Sequence, residues 1–170
     1  MKSVISPSRS LILSGALLAT LGVMAPSIAV ADPVVFDLPA GIACPDFDLR
    51  LEITLNPDRP NKTFFDKNGD PVRLFTGGVG HEVTLINLNT GARLELKPNG
   101  AVESVVLKGS TQTWSVKGHT VLIFFPTDVP AGPSTTLYVG RVVYTVDENG
   151  VFTLQSTSGK AMDICAALSG

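Results

Sequence analysis

Asp66-Lys67-Asn68-Gly69-Asp70 sets oxygen-bearing side chains at alternate positions, a spacing with which a short loop can grip calcium. Such a loop also needs glycine after its third ligand and glutamate at its twelfth position. Pro71 and Gly77 stand there instead. Gly69 follows Asn68 directly, as a tight hairpin turn requires, so the stretch reads as a hairpin tip. Asp147-Glu148-Asn149-Gly150 reads the same way. His81 and His119 are the only histidines and share no H-x-H or H-x-x-x-H spacing, so no zinc site is indicated. No G-x-S-x-G elbow presents a serine nucleophile. Gly77-Gly78-Val79-Gly80 leads into no predicted helix that would cradle a phosphate. Asp46, Asp48, Glu52, Glu82, Glu95 and Glu103 lie on or beside predicted strands, mostly in the polar phase. A glycosidase pair needs one carboxyl in an apolar pocket with a raised pKa, and nothing in the sequence selects a pair. The sequence therefore nominates no catalytic residue, no metal ligand and no cofactor.

Binding chemistry has better candidates. Pro126-Thr127-Asp128-Val129-Pro130-Ala131-Gly132-Pro133-Ser134 is stiffened by its prolines, and a stiff loop loses little entropy on docking. Trp114, Tyr138, Tyr144, Phe64 and Phe65 are the aromatics that could form a carbohydrate platform on a sheet. Aromatic residues make up 6% of the chain, so few remain once a core is filled. The candidate binding surface is Trp114, Tyr138, Pro126, Asp128, Pro130 and Pro133. The competing roles are core burial for Trp114 and a plain connection between strands for the loop.

Two further features set the compartment. Lys2 and Arg9 precede an uncharged apolar run from Leu11 to Met24, and a small-residue segment ends Ala29-Val30-Ala31. That order reads as a signal peptide over residues 1–31, a leader helix too short to span a bilayer. The remaining residues 32–170 are expected to form a single β-rich domain, secreted and free of the membrane after cleavage. Cys44 and Cys165 are the only cysteines, and in an oxidising compartment they are expected to pair. Closing a loop of that size is worth about 5 kcal/mol in the chain-entropy model. Removing the leader takes away Lys2 and Arg9 but no acid, so a formal charge of −2 becomes −4. No basic run occurs anywhere, which argues against a nucleic-acid partner.

Those residues must be positioned by strands. Phe47, Leu49, Leu51, Ile53 and Leu55 alternate with Asp48, Arg50, Glu52 and Thr54, the period of a half-buried strand. Further short strands are expected over 62–66, 71–76, 82–88, 92–97, 101–107, 111–116, 120–125, 135–146 and 151–156. Glycine-bearing turns separate most of them, including Pro98-Asn99-Gly100 and Lys117-Gly118-His119. A helical turn is expected within Lys160–Leu168. Consecutive hairpins make the fold all-β and antiparallel: a β-sandwich, with an up-and-down barrel as the alternative. Val121-Leu122-Ile123-Phe124-Phe125 is apolar at every position, so both its faces need cover. Segment 33–43 or the terminal turn is expected to supply it; otherwise one face would bind a partner or a second copy.

Phe125–Arg141, Ala40-Gly41-Ile42-Ala43-Cys44-Pro45 and Asp163-Ile164-Cys165-Ala166-Ala167-Leu168 resemble segments of small secreted actinobacterial proteins of unassigned function. The resemblance implies export and carries no catalytic residue. The expectation is a secreted, non-enzymatic β-sandwich that binds cell wall, polysaccharide or an extracellular protein. The alternatives are a hydrolase using paired carboxylates and a self-associating structural protein.

Overall fold

A computed structural model describes residues 32–96 and 102–170. The leader and the Pro98-Asn99-Gly100 turn lie outside them. Among the described residues the chain forms β1 (Val34–Leu38), β2 (Leu49–Thr54), β3 (Asn61–Phe65), β4 (Pro71–Thr76), β5 (Glu82–Asn87), β6 (Arg93–Leu96), β7 (Val102–Lys108), β8 (Thr111–Phe124), β9 (Ser134–Val146), β10 (Phe152–Asp163) and α1 (Ile164–Ser169). The strands make a four-stranded sheet, β1-β2-β5-β6, and a six-stranded sheet, β10-β9-β8-β7-β4-β3. Every neighbouring pair is antiparallel. Both sheets have free edges, so the architecture is the β-sandwich and not the closed barrel.

Alternation decides which side chains enter the core. Leu49 and Leu85 are fully buried, and Leu51, Val83, Leu94 and Leu96 pack beside them. They meet Leu137, Val121, Ile123 and Val139 of the six-stranded sheet. Ile164, Cys165 and Leu168 of α1 close one end of this core. The Asp163 carboxylate caps that helix by accepting from the Ala166 N–H at 3.0 Å. Cys44 and Cys165 form the expected disulfide, with a Cα–Cα distance of 5.5 Å. Asn87 ties β5 to the helix end, its Nδ2 donating to the Leu168 carbonyl at 3.0 Å. At the sheet's edge, Arg50 grips Asp37 of β1 with Nε and Nη2 at 2.7 and 2.8 Å. That pairing holds the Asp37 carboxyl below its ordinary value.

Three local expectations need correction. The turn expected at Lys117-Gly118-His119 is absent, because β8 runs unbroken from Thr111 to Phe124. Gly118 lies opposite Gly140, which lies opposite Gly159, and all three have positive φ. A Cβ on Gly140 would lie 2.0 Å from the Ser158 carbonyl oxygen. The glycines therefore supply close approach between strands and a bend within them, not a chain reversal. Second, β10 continues to Asp163, well beyond residue 156, and α1 starts only at Ile164.

The third correction concerns what covers Val121–Phe125. Segment 33–43 pairs through Val34–Leu38 with β2 as an edge strand, and its Leu38 and Ala43, with the terminal helix, reach one face of this strand only. One face, Val121 and Ile123, packs on the four-stranded sheet and α1. The other, Leu122 and Phe124, packs with Val116, Val142 and Tyr144 of its own sheet. The sheet does this by folding back. Val129 donates to the Phe152 carbonyl at 2.8 Å and accepts from the Leu154 N–H at 2.7 Å, just after β8 ends. Phe152 is level with Val146 and hence with Gln112, at the opposite end of β8. The loop just past one end of β8 thus bonds β10 at the level of the other end of β8, and the glycine row lies between the two levels.

Candidate functional site

The stiff loop is stitched into that bend. Asp128 is buried, and its carboxylate accepts from the Phe125 N–H at 2.7 Å and from the Phe152 N–H at 2.9 Å. A charged acceptor shared by two backbone donors is a strong fastening. Pro126 and Pro130 are exposed, and Pro133 is half-buried. Trp114 and Tyr138 both lie half-buried against the core cluster inside the bend. The Trp114 ring stacks on Tyr144 at 5.9 Å, and Tyr144 stacks on Phe152 at 5.4 Å. Trp114 Nε1 donates to Gln112 Oε1 at 3.1 Å. The structure thus brings the two aromatics to one inner cluster, with Asp128 fastening the loop beside it. The hairpin tip at 66–70 is similarly self-contained: Asp66 Oδ1 accepts from the N–H groups of Asn68 and Asp70 at 2.8 and 3.0 Å.

The opposite, outward face of the six-stranded sheet has a different character. Register aligns Lys62, Phe75, Ser104, Ser115, Val143 and Ser156 in one cross-strand row. Phe64, Arg73, Val106, Thr113, Thr145 and Thr153 form the adjacent row. Lys117 and Arg141 face each other one step further along β8 and β9. No Asp or Glu stands in these rows. A shallow groove of about 630 Å³ runs over Arg73, Phe75, Ser104, Val106, Thr113, Ser115, Lys117, Arg141 and Val143.

The cations of this face are held in place without being neutralised. Arg73 Nε donates to Ser104 Oγ at 2.8 Å, and Arg141 Nε donates to Ser115 Oγ at 3.2 Å. Among the described residues neither arginine forms an ion pair, nor does Lys117. Each guanidinium therefore keeps its Nη nitrogens for planar recognition of a carboxylate or phosphate. The Lys62 ammonium sits 4.9 Å over the Phe64 ring. This face is not visible as a motif, because its cations are spread over positions 62 to 141 and form no run. The available signal was their shared outward phase, which becomes a patch only when strands 3, 4, 8 and 9 fall into one sheet.

A second feature lies between the two sheets. A cavity of about 290 Å³ is lined by apolar groups including Leu51, Ile53, Val83, Leu96 and Leu122. Arg59, His81, Glu103, Thr120 and Tyr144 also line it. The Arg59 side chain is 8% exposed, and its Nη2 donates to Glu103 Oε1 at 3.0 Å. Burial, with the charge of Arg59 second, keeps the His81 imidazole below its ordinary pKa. Burial, with Glu103 second, pushes the Tyr144 phenol up to about 12, so it stays protonated. Glu103 is the only carboxylate lining the cavity, and it is paired with Arg59. A two-carboxylate hydrolytic mechanism has no second acid there.

No comparison identifies a relative. No protein-family model matches the chain, and no curated protein or solved structure matches it either. The reading of function rests on the geometry of the two sites.

Proposed function

We propose that this is an exported, non-catalytic binding protein that holds an acidic polysaccharide against the outward face of its six-stranded sheet. The observation that carries the reading is the acid-free groove over Arg73, Lys117 and Arg141. Two further features favour a sugar polymer. The rows are rich in hydroxyls, Ser104, Thr113, Ser115 and Thr145, which both donate and accept toward sugar hydroxyls. Phe64 and Phe75 offer apolar area in the same rows, opposite Arg73 and Lys62, on which a sugar ring can lie. Among the described residues the groove is lined by no His, Asp, Glu or Cys, the usual side chains of general acid–base catalysis. Export is favoured by the leader and by the disulfide, a bond that oxidising compartments preserve.

The test is retention on immobilised acidic and neutral polysaccharides across a salt series. Acidic polymers should retain the protein at low salt, and affinity should fall steadily as salt rises. The double substitution Arg73→Ala and Arg141→Ala should weaken binding about tenfold and flatten the salt dependence. Arg93→Ala, on the other sheet, should leave binding unchanged. Equal retention on neutral polymers, or a preference for single-stranded DNA at the same salt, would sink the proposal.

A further inference from the structure

We propose that the cavity between the two sheets is a binding site for a small, neutral, apolar molecule carrying a carbonyl oxygen, received by Arg59, His81 and Thr120. This site is separate from the outward groove, and either can fail without the other.

Several hydrogen-bond donors around this cavity lack acceptors among the described residues. The backbone N–H of Asn56 donates to His81 Nδ1 at 2.9 Å. That bond assigns Nδ1 as the unprotonated nitrogen, so the neutral ring carries its proton on Nε2. His81 Nε2 lies 3.3 Å from Arg59 Nη1, which is itself a donor and has no lone pair to offer. Two donors therefore face one another. Arg59 Nε is buried and has no hydrogen-bond partner among the described residues, and the same holds for Thr120 Oγ1. Buried polar groups are rarely left unpaired, because each forfeits its hydration without replacement. Arg59, His81 and Thr120 all line the one cavity. An oxygen acceptor entering it would answer their unmet donors.

Charge decides the class of acceptor. Arg59 is balanced by Glu103, and His81 is neutral. A carboxylate would bring an unbalanced charge into a largely apolar space where Arg59 is already paired with Glu103, which is costly. A ketone, ester or amide oxygen accepts the same bonds without that penalty. Size decides the rest. A cavity of about 290 Å³ sits at the lower end of ordinary ligand pockets. Taking the roughly 30 Å³ of a liquid water molecule as a guide, it holds on the order of ten heavy atoms. Leu51, Ile53, Val83 and Leu96 would clothe the apolar remainder.

Three probes of equal chain length separate the possibilities in the full chain: 2-nonanone, nonane and nonanoate. The readouts are the melting temperature and the fluorescence of Trp114, the sole tryptophan, whose ring stacks on the cavity-lining Tyr144. The expected result is saturable binding of 2-nonanone, with nonane and nonanoate at least about tenfold weaker. Thr120→Val removes a hydroxyl while keeping the side chain's shape. It should reduce 2-nonanone affinity several-fold without lowering the melting temperature of the unliganded protein. Nonane binding as well as 2-nonanone would show that the donors are irrelevant and overturn the proposal. Preference for nonanoate would overturn the neutral-carbonyl assignment. Binding of none of the three, with water filling the cavity, would overturn it outright.

Discussion

His81 shows how one side chain can make folding depend on pH. Its ring accepts from the Asn56 N–H, and burial with the nearby Arg59 charge holds its pKa below the ordinary 6.5. The unfolded chain therefore takes up a proton near that pH that the folded protein refuses. Stability from this residue is complete above about pH 6.5 and is lost as pH falls below it toward the folded value. Melting temperatures measured from pH 7.5 down to pH 5 should fall. The fall should be smaller in His81→Asn, whose amide oxygen can accept from the Asn56 N–H but does not titrate. An identical pH profile in the two proteins would remove His81 as a contributor. Neither this role nor that of Asp128 could be read from sequence. Its place in a proline-rich loop makes Asp128 read as a binding-surface residue. Its carboxylate instead meets donors at Phe125 and Phe152, and a contact with a residue 24 positions away has no local signature.

At the scale of elements, the glycine row across β8, β9 and β10 is the decisive device. It converts a long antiparallel meander into a sheet that folds over its own core of Val116, Phe124, Val142 and Tyr144. Gly140→Ala places a methyl group against the Ser158 carbonyl, where the available distance is 2.0 Å, at a φ of 148°. We expect a loss of at least about 2 kcal/mol, seen as a lower denaturant midpoint. An unchanged midpoint would mean that the bend does not depend on close approach at this row. Gly118 reads as a hairpin turn in sequence because glycine flanked by polar residues is the usual turn signal. Glycine is needed equally where two backbones touch, and only the pairing of Gly118 with Gly140 separates the two uses. Alternation of the kind seen from Phe47 to Leu55 is less ambiguous: its apolar phase puts Phe47 and Leu49 in the core with Leu51 packed beside them, while Leu55 lies exposed beyond the end of β2.

At the scale of the whole molecule, the disulfide joins the segment before β2 to the C-terminal helix across a separation of 121 residues. Both cysteines are buried in the core shared by the two sheets. Reduction should lower stability by about 2–5 kcal/mol and release α1 first, because that helix has only six residues of its own. Hydrogen exchange over residues 164–169, compared before and after reduction, checks this order. Loss of protection spread evenly over both sheets would contradict it. Folding also sorts charge at this scale. The chain as a whole is acidic, yet Lys62, Arg73, Lys117 and Arg141 collect on one face of one sheet.

Antiparallel β-sheet, the pairing of the two cysteines and the place of most hairpin turns are legible in the order of residues alone. Those properties follow from side-chain period, residue type and short-range turn chemistry, all of which act within a few residues. Tertiary structure alone decided that the larger sheet doubles back, that its cations share a groove, and that Arg59, His81 and Thr120 meet around a cavity. Each of these depends on which strands become neighbours, and strand order is set by packing between residues far apart in the chain.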